Sequence, residues 1–171
     1  MDSREAVTLP DPVKDSWGRP LRSLRVSVTD RCNLRCQYCM PEENYVWLPR
    51  ENLLTFEEIV LLTNLFSDQG VDKVRITGGE PLLRNNLAGL IRMLRQNPRI
   101  HDIAMTTNGV LLHEQAQALF DAGLHRVTVS LDTLKPERFK SLTRRDTLDR
   151  VFEGIASVGR VGFTGLKLDT V

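Results

Sequence analysis

The chain contains three cysteines, all within eight positions: Cys32, Cys36 and Cys39, spaced C-x3-C-x2-C in the stretch Asp30-Arg31-Cys32-Asn33-Leu34-Arg35-Cys36-Gln37-Tyr38-Cys39-Met40-Pro41. Soft thiolates crowded at such spacing select zinc, copper(I) or iron–sulfur clusters. Their odd number is informative. A closed zinc site and an ordinary four-iron cluster each take four protein ligands, so three thiolates leave one coordination position open to a substrate or cofactor. A disulfide with a spare thiol fits an odd count poorly, and nothing else in the chain points to an oxidising compartment. A zinc site completed by His101, His113 or His125 is the other alternative, but these histidines are scattered singly, none in an H-x3–5-H pair. An iron–sulfur cluster with one iron left open is the reading the spacing favours.

A second stretch with chemical potential is Gly78-Gly79-Glu80-Pro81. Two residues without a Cβ let the backbone pass close to a ligand and offer it N–H and C=O groups. Glu80 adds a carboxylate suited to an ammonium group. The plainer reading is a tight strand-to-helix turn in which Glu80 is merely favourable near the next helix N-terminus. Beside a three-cysteine loop, the ligand reading gains weight.

The elements that must position these residues alternate regularly. Residues 1–20 carry Pro10, Pro12, Gly18 and Pro20 without sustained periodicity and read as an extended lead-in, with Trp17 as its expected anchor. Residues 24–29 alternate apolar and polar as a half-buried strand that delivers the chain to the cysteines. Residues 40–49 are irregular, and Tyr45 and Trp47 are expected to pack on the core. Thr55 with Glu58 three residues on forms a capping-box signature; Ile59, Leu62 and Phe66 are the predicted buried stripe of that helix, and Gly70 its stop. Strands are predicted over residues 73–77, 102–106, 126–131 and 166–171. Helices are predicted around Leu87-Leu90-Ile91-Leu94 and over 111–122, with Ala116, Leu119 and Phe120 inward and Gly123 as the stop. A short helix or turn follows over 136–142, then a longer helix over 148–158.

Strands alternating with helices require parallel pairing. The expected fold is therefore α/β, a curved parallel sheet of (βα) repeats forming part of a TIM-like barrel. Its domain is expected over residues 21–171. The unusual residues all follow strands: the cysteines after the first, Gly-Gly-Glu-Pro after the second, Thr107-Asn108-Gly109 after the third, and Ser130-Leu131-Asp132 at the fourth. In (βα) barrels that edge carries the active site.

At 171 residues and 41% hydrophobic composition, one domain with a real core is the default. Twenty-three basic against twenty-two acidic side chains give a formal charge of +1, so no global field favours nucleic acid or an anionic membrane. No apolar run approaches a membrane span, and the polar, proline-containing first fifteen residues lack a signal peptide's apolar core, which implies a cytoplasmic protein.

The cysteine loop, Tyr38 just before its third thiol, and Gly-Gly-Glu-Pro at the second strand together resemble the radical S-adenosylmethionine enzymes. Within that superfamily, Gly18-Arg19-Pro20, residues 24–33, Tyr38-Cys39-Met40-Pro41, residues 75–82, Thr106-Thr107-Asn108-Gly109 and Val129-Ser130-Leu131-Asp132 resemble the GTP 3′,8-cyclase family of molybdenum cofactor biosynthesis. The resemblance implies that Cys32, Cys36 and Cys39 hold a [4Fe–4S] cluster whose fourth iron is chelated by S-adenosylmethionine. It implies that Tyr38, Gly79 and Ser130 hold S-adenosylmethionine, with Glu80 near its amino group, and that Arg25, Arg75, Thr106 and Lys167 contact GTP. The chemistry implied is reductive cleavage to a 5′-deoxyadenosyl radical, abstraction of the ribose 3′ hydrogen and attack of the carbon radical on guanine C8. Cofactors carry that chemistry, so no catalytic acid, base or nucleophile is expected of the chain itself. The arginines suit the task because their forks match phosphate oxygens.

The implied partners are an electron donor and the downstream cyclic pyranopterin monophosphate synthase, and a homodimer is allowed for. Members of that family are about twice this length and bind a second [4Fe–4S] cluster in their C-terminal part. The chain stops within its fifth predicted strand and is expected to be a piece of such a protein, so cyclase activity is not assured for it alone. Asp169 stands where the family has asparagine, which places an extra negative charge beside the expected substrate pocket.

Overall fold

A computed structural model describes residues 13–42 and 44–171. Five strands form one parallel sheet in the order β1-β2-β3-β4-β5: Ser23–Ser27, Lys73–Thr77, Asp102–Thr107, Arg126–Ser130 and Leu166–Asp169. The helices between them are α1 (Phe56–Asp68), α2 (Leu87–Leu94), α3 (Leu112–Asp121), α4 (Pro136–Thr143) and α5 (Leu148–Val161). The sheet is open, and every strand follows its sequence neighbour, as successive right-handed (βα) units require.

Alternation along the strands separates two faces. Val74, Ile76, Ile103, Met105, Val127 and Val129 are buried and share one core with Leu90, Ile91, Leu94, Leu112, Leu119 and Val151 of the helices. The intervening positions form a polar face away from that core. α2 buries all four leucine and isoleucine positions of its predicted stripe. α1 starts on the expected capping box: Glu58 N donates to Thr55 Oγ1 (3.2 Å), and Thr55 N donates to Glu58 Oε2 (2.7 Å).

Four packing expectations are corrected. α1 buries Ile59, Thr63 and Ser67, while Leu62 and Phe66 are each 41% exposed. The helix is rotated so that Ile59 and the smaller Thr63 and Ser67, spaced four residues apart, face inward, and the two small side chains permit closer approach than leucine and phenylalanine would. Phe120 likewise sits at the rim of α3, edge-on to Phe163 at 5.1 Å, while Ala116 and Leu119 are buried. Trp17 is 83% exposed and anchors nothing among the described residues. The described part of the lead-in is held instead by Asp15, which accepts from Trp17 N and Arg19 N, and by hydrogen bonds from Val13 N to Gln69 O (3.1 Å) and Leu21 N to Val13 O (2.8 Å). Residues 1–12 of the expected lead-in lie outside the described residues. Tyr45 and Trp47 stack on one another at 5.2 Å, with the Arg35 guanidinium over both rings, an arrangement driven by cation–π attraction rather than core burial.

Candidate active site

The cysteine loop leaves the C-terminal end of β1 and is fastened from two sides. Arg35 N donates to Thr143 O (2.9 Å) and Gln37 N to Leu142 O (3.0 Å), which tie it to the end of α4. Gly79 N donates to Thr29 O and Glu80 N to Arg31 O, both at 2.7 Å, which tie it to the turn after β2. The approach there is very close: a Cβ on Gly79 would lie 2.3 Å from Arg31 O and 2.6 Å from Asp30 O. The glycine pair therefore serves first to admit the chain's own cysteine loop, and the N–H groups of Gly79 and Glu80 are spent on it rather than offered to a ligand.

Within the loop, Cys39 N and Met40 N both donate to Cys36 O, at 3.0 and 2.8 Å, turning the chain so that the second and third thiols emerge from one bend. Leu34 N donates to Cys32 Sγ at 3.4 Å and Asn108 Nδ2 to the same sulfur at 3.8 Å. Burial, then the charges of Cys32 and Cys39, push the Cys36 thiol up to about 11; burial raises Cys32 as well. Among the described residues no three His, Cys, Asp or Glu side chains converge tightly enough to form a metal-holding group by themselves. Neighbouring thiolates repel, and a bound cation is what offsets that repulsion and draws them together. The donor set fits an iron–sulfur cluster: three free thiols on one loop, two of them half-buried, with N–H donors already aimed at one sulfur. The histidines lie elsewhere, with His101 and His125 near the N-terminal ends of β3 and β4, the opposite edge of the sheet, and His113 beside Glu114 at 3.7 Å.

Glu80 is wholly buried and its carboxylate is saturated by the protein. Oε1 accepts from Leu82 N (3.0 Å) and Thr107 Oγ1 (2.7 Å), and Oε2 accepts from Asn108 N (2.7 Å). Burial holds its pKa above the ordinary carboxylate value, against the opposing pull of the three hydrogen bonds. The expected position beside an ammonium group is not where the structure places this side chain, because it points into the junction between the β2 and β3 turns.

Cys36, Tyr38, Ser130, Asn108 and Asp132 line one narrow cleft of about 40 Å³ at the strand ends. Tyr38 Oη donates to Asp132 Oδ2 at 2.7 Å, joining the cysteine loop to the end of β4.

The polar face of the sheet brings the remaining predicted residues into register. Arg25 pairs with Arg75, which pairs with Ala104 and through it with Arg126; two residues further along, Thr106 pairs with Thr128 and Thr128 with Lys167. Arg75 Nη1 donates to both Thr106 Oγ1 (3.1 Å) and Thr128 Oγ1 (3.2 Å), which fixes the guanidinium along the sheet. Lys167 Nζ lies 2.6 Å from Asp169 Oδ1, so the ammonium expected to meet substrate is paired in the chain with the carboxylate two residues on. Sequence reasoning missed Thr128 and the linking role of Asn108. Thr128 could have been found from the register of β4 with β3; Asn108 carried no signal beyond its place in Thr-Asn-Gly.

An open parallel (βα) sheet with a three-thiolate loop at the C-terminal end of its first strand defines a class. The Radical SAM superfamily model matches residues 26–171, and the chain belongs to that superfamily. It is 51% identical over 164 residues to "GTP 3',8-cyclase 3" of Mycobacterium tuberculosis, covering 94% of this chain and 43% of that protein. It is 55% identical over 165 residues to "GTP 3',8-cyclase" of Acidothermus cellulolyticus, covering 94% and 46%. The chain thus spans about half the length of the curated relatives it matches. Among solved structures it superposes on HydG, a maturase of the [FeFe]-hydrogenase, with a TM-score of 0.72 at 14% identity, covering 87% of this chain and 34% of that one. On Streptococcus suis SuiB bound to S-adenosylmethionine the TM-score is 0.71 at 21% identity, covering 86% and 33%. These neighbours share the fold.

Proposed function

We propose that this chain is the cofactor-binding part of a GTP 3′,8-cyclase. The observation that carries the reading is the row of cations and hydroxyls on the polar face, Arg25 and Arg75 with Thr106, Thr128 and Lys167, on the sheet whose first strand runs into the cysteine loop. Concentrated, pre-oriented positive charge on a strand face is what a triphosphate needs, and the curated relatives are named for GTP chemistry.

On this reading Cys32, Cys36 and Cys39 hold the cluster, and S-adenosylmethionine lies along the strand ends near Tyr38, Gly79 and Ser130. When bound, these cofactors supply a 5′-deoxyadenosyl radical. The chain's own residues do the positioning. Thr106 and Thr128 fix the Arg75 fork, Arg25 adds a second guanidinium beside it, and Lys167 closes the row from β5. Glu80 braces the β2 and β3 turns. A cyclase of this kind also requires a reductant, and its product needs a further enzyme that completes the pterin.

The test is anaerobic reconstitution with iron and sulfide followed by titration with GTP and by assay for 5′-deoxyadenosine. Expected are S-adenosylmethionine cleavage under dithionite and a GTP affinity that falls at least about tenfold in Arg75→Ala, the loss of one charge-assisted phosphate contact. GTP binding indifferent to Arg75 overturns the substrate assignment. A chain that takes up no cluster overturns the cofactor assignment.

A further inference from the structure

Asn108 sits where three turns meet, and its backbone N–H and both ends of its side-chain amide are committed. Its backbone N–H donates to Glu80 Oε2 (2.7 Å), its Oδ1 accepts from Val110 N (3.1 Å), and its Nδ2 donates to Asn33 Oδ1 (2.7 Å) and to Cys32 Sγ (3.8 Å). The network fixes which way the amide points. Turned over, the nitrogen would face the Val110 N–H, a donor against a donor, and the oxygen would face a thiolate. The side chain is therefore locked with its N–H groups toward Cys32.

We propose that Asn108 is a positioning residue that sets the reduction potential of the cluster held by Cys32, Cys36 and Cys39, by donating to the Cys32 sulfur. The proposal rests on the cluster assignment above. Uptake of one electron, supplied by an external reductant, adds one negative charge to the cluster and its thiolates. N–H donors to ligand sulfur stabilise the more negative state and raise the potential. Two such donors converge on Cys32. Leu34 N is backbone from the same loop, while Asn108 reaches it from the turn after β3, seventy-six residues away in sequence. Glu80 anchors the Asn108 backbone, so the strength of the sulfur contact is set by a brace between the second and third turns.

The experiment is a dithionite potentiometric titration of the reconstituted chain, followed by the EPR signal of the reduced cluster, in the original chain and in Asn108→Asp and Asn108→Ser. Aspartate keeps an oxygen for Val110 N but places an anion at the sulfur. Serine keeps a cap for Val110 N and removes the sulfur donor. Both midpoints are expected to move to more negative potential, aspartate further than serine, at unchanged iron content per chain. Midpoints equal to that of the original chain in both variants overturn the proposal. If either variant loses iron, the other is read alone, and if both do, Asn33→Ala, which frees the amide from its second anchor, must shift the midpoint or the proposal falls. An original chain without a reduced-cluster signal refutes the cofactor assignment instead.

Discussion

Replacing Glu80 by glutamine separates a brace from a ligand. The carboxylate receives three donors and is fully buried. A glutamine can keep one oxygen for Leu82 N and Thr107 Oγ1, but its NH2 then replaces Oε2 and confronts the Asn108 N–H. One charge-assisted hydrogen bond is lost, about 1.5–3 kcal/mol, and a buried N–H is left without a partner, about 1–3 kcal/mol, so with overlap between the two losses the net cost is roughly 2–4 kcal/mol. For a chain of this size each kcal/mol moves Tm by about 2–4 °C, so thermal unfolding followed by circular dichroism should show a fall of roughly 4–16 °C. The variant should bind S-adenosylmethionine no worse than its loss of folded protein dictates. A Glu80→Gln chain with unchanged Tm but much weakened S-adenosylmethionine binding would refute the bracing argument and restore the carboxylate to the ammonium group.

Other perturbations follow from the same geometry. Asp169→Asn removes the carboxylate 2.6 Å from Lys167 Nζ; exposed pairs are worth about 0.2–1 kcal/mol, so GTP titration should tighten by up to about fivefold. Gly79→Ala drives a Cβ into backbone atoms of Asp30 and Arg31, which cannot yield as a flexible side chain would; iron content after reconstitution and Tm should both fall, at a cost of about 1–3 kcal/mol. Thr55→Ala opens the α1 capping box and should cost about 1 kcal/mol in urea unfolding. His125 is held below the usual imidazole range by burial and by the Arg95 guanidinium. Its neutral form is therefore the one the fold favours, and its contribution is complete above the unfolded pKa of about 6.5 and lost as pH falls through the lower folded value; the Tm difference between the original chain and His125→Asn should shrink over that window.

Much of this arrangement was legible in the sequence because period and punctuation agree. Val-x-Ile in β2 and Val-x-Val in β4 announce buried strand faces, the Thr55–Glu58 pair marks a helix start, and the glycines after α1, α3 and α5 mark stops with left-handed backbone at Gly70, Gly123 and Gly162. The three cysteines and the Gly-Gly-Glu-Pro turn also stood out by type and spacing. What escaped was depth. Leucine at 62 and phenylalanine at 66 fit a buried stripe as well as threonine and serine fit a surface, yet the helix turned its small residues inward. No periodicity argument distinguishes these, since both rows have helical spacing and only the distance between helix and sheet decides.

Glu80 shows the same limit at the site. A glutamate after two glycines reads as a carboxylate offered to a ligand or, more plainly, as a favourable charge at a helix start, and the bond from Leu82 N realises that local reading. What completes its capture lies twenty-seven and twenty-eight residues further on, in Thr107 and Asn108. A buried carboxylate is costly unless its oxygens are paired, so its burial and the closure of the β3 turn around it are one event. The same Asn108 whose backbone saturates Glu80 presents its side-chain N–H to Cys32. The second turn, the third turn and the cysteine loop are therefore a single hydrogen-bonded unit, and a change at the buried carboxylate should be felt at the sulfur. Glu80→Gln should accordingly shift the cluster midpoint in the same direction as Asn108→Ser, by less, in the fraction of protein that remains folded; an unshifted midpoint would show that the turns are braced independently.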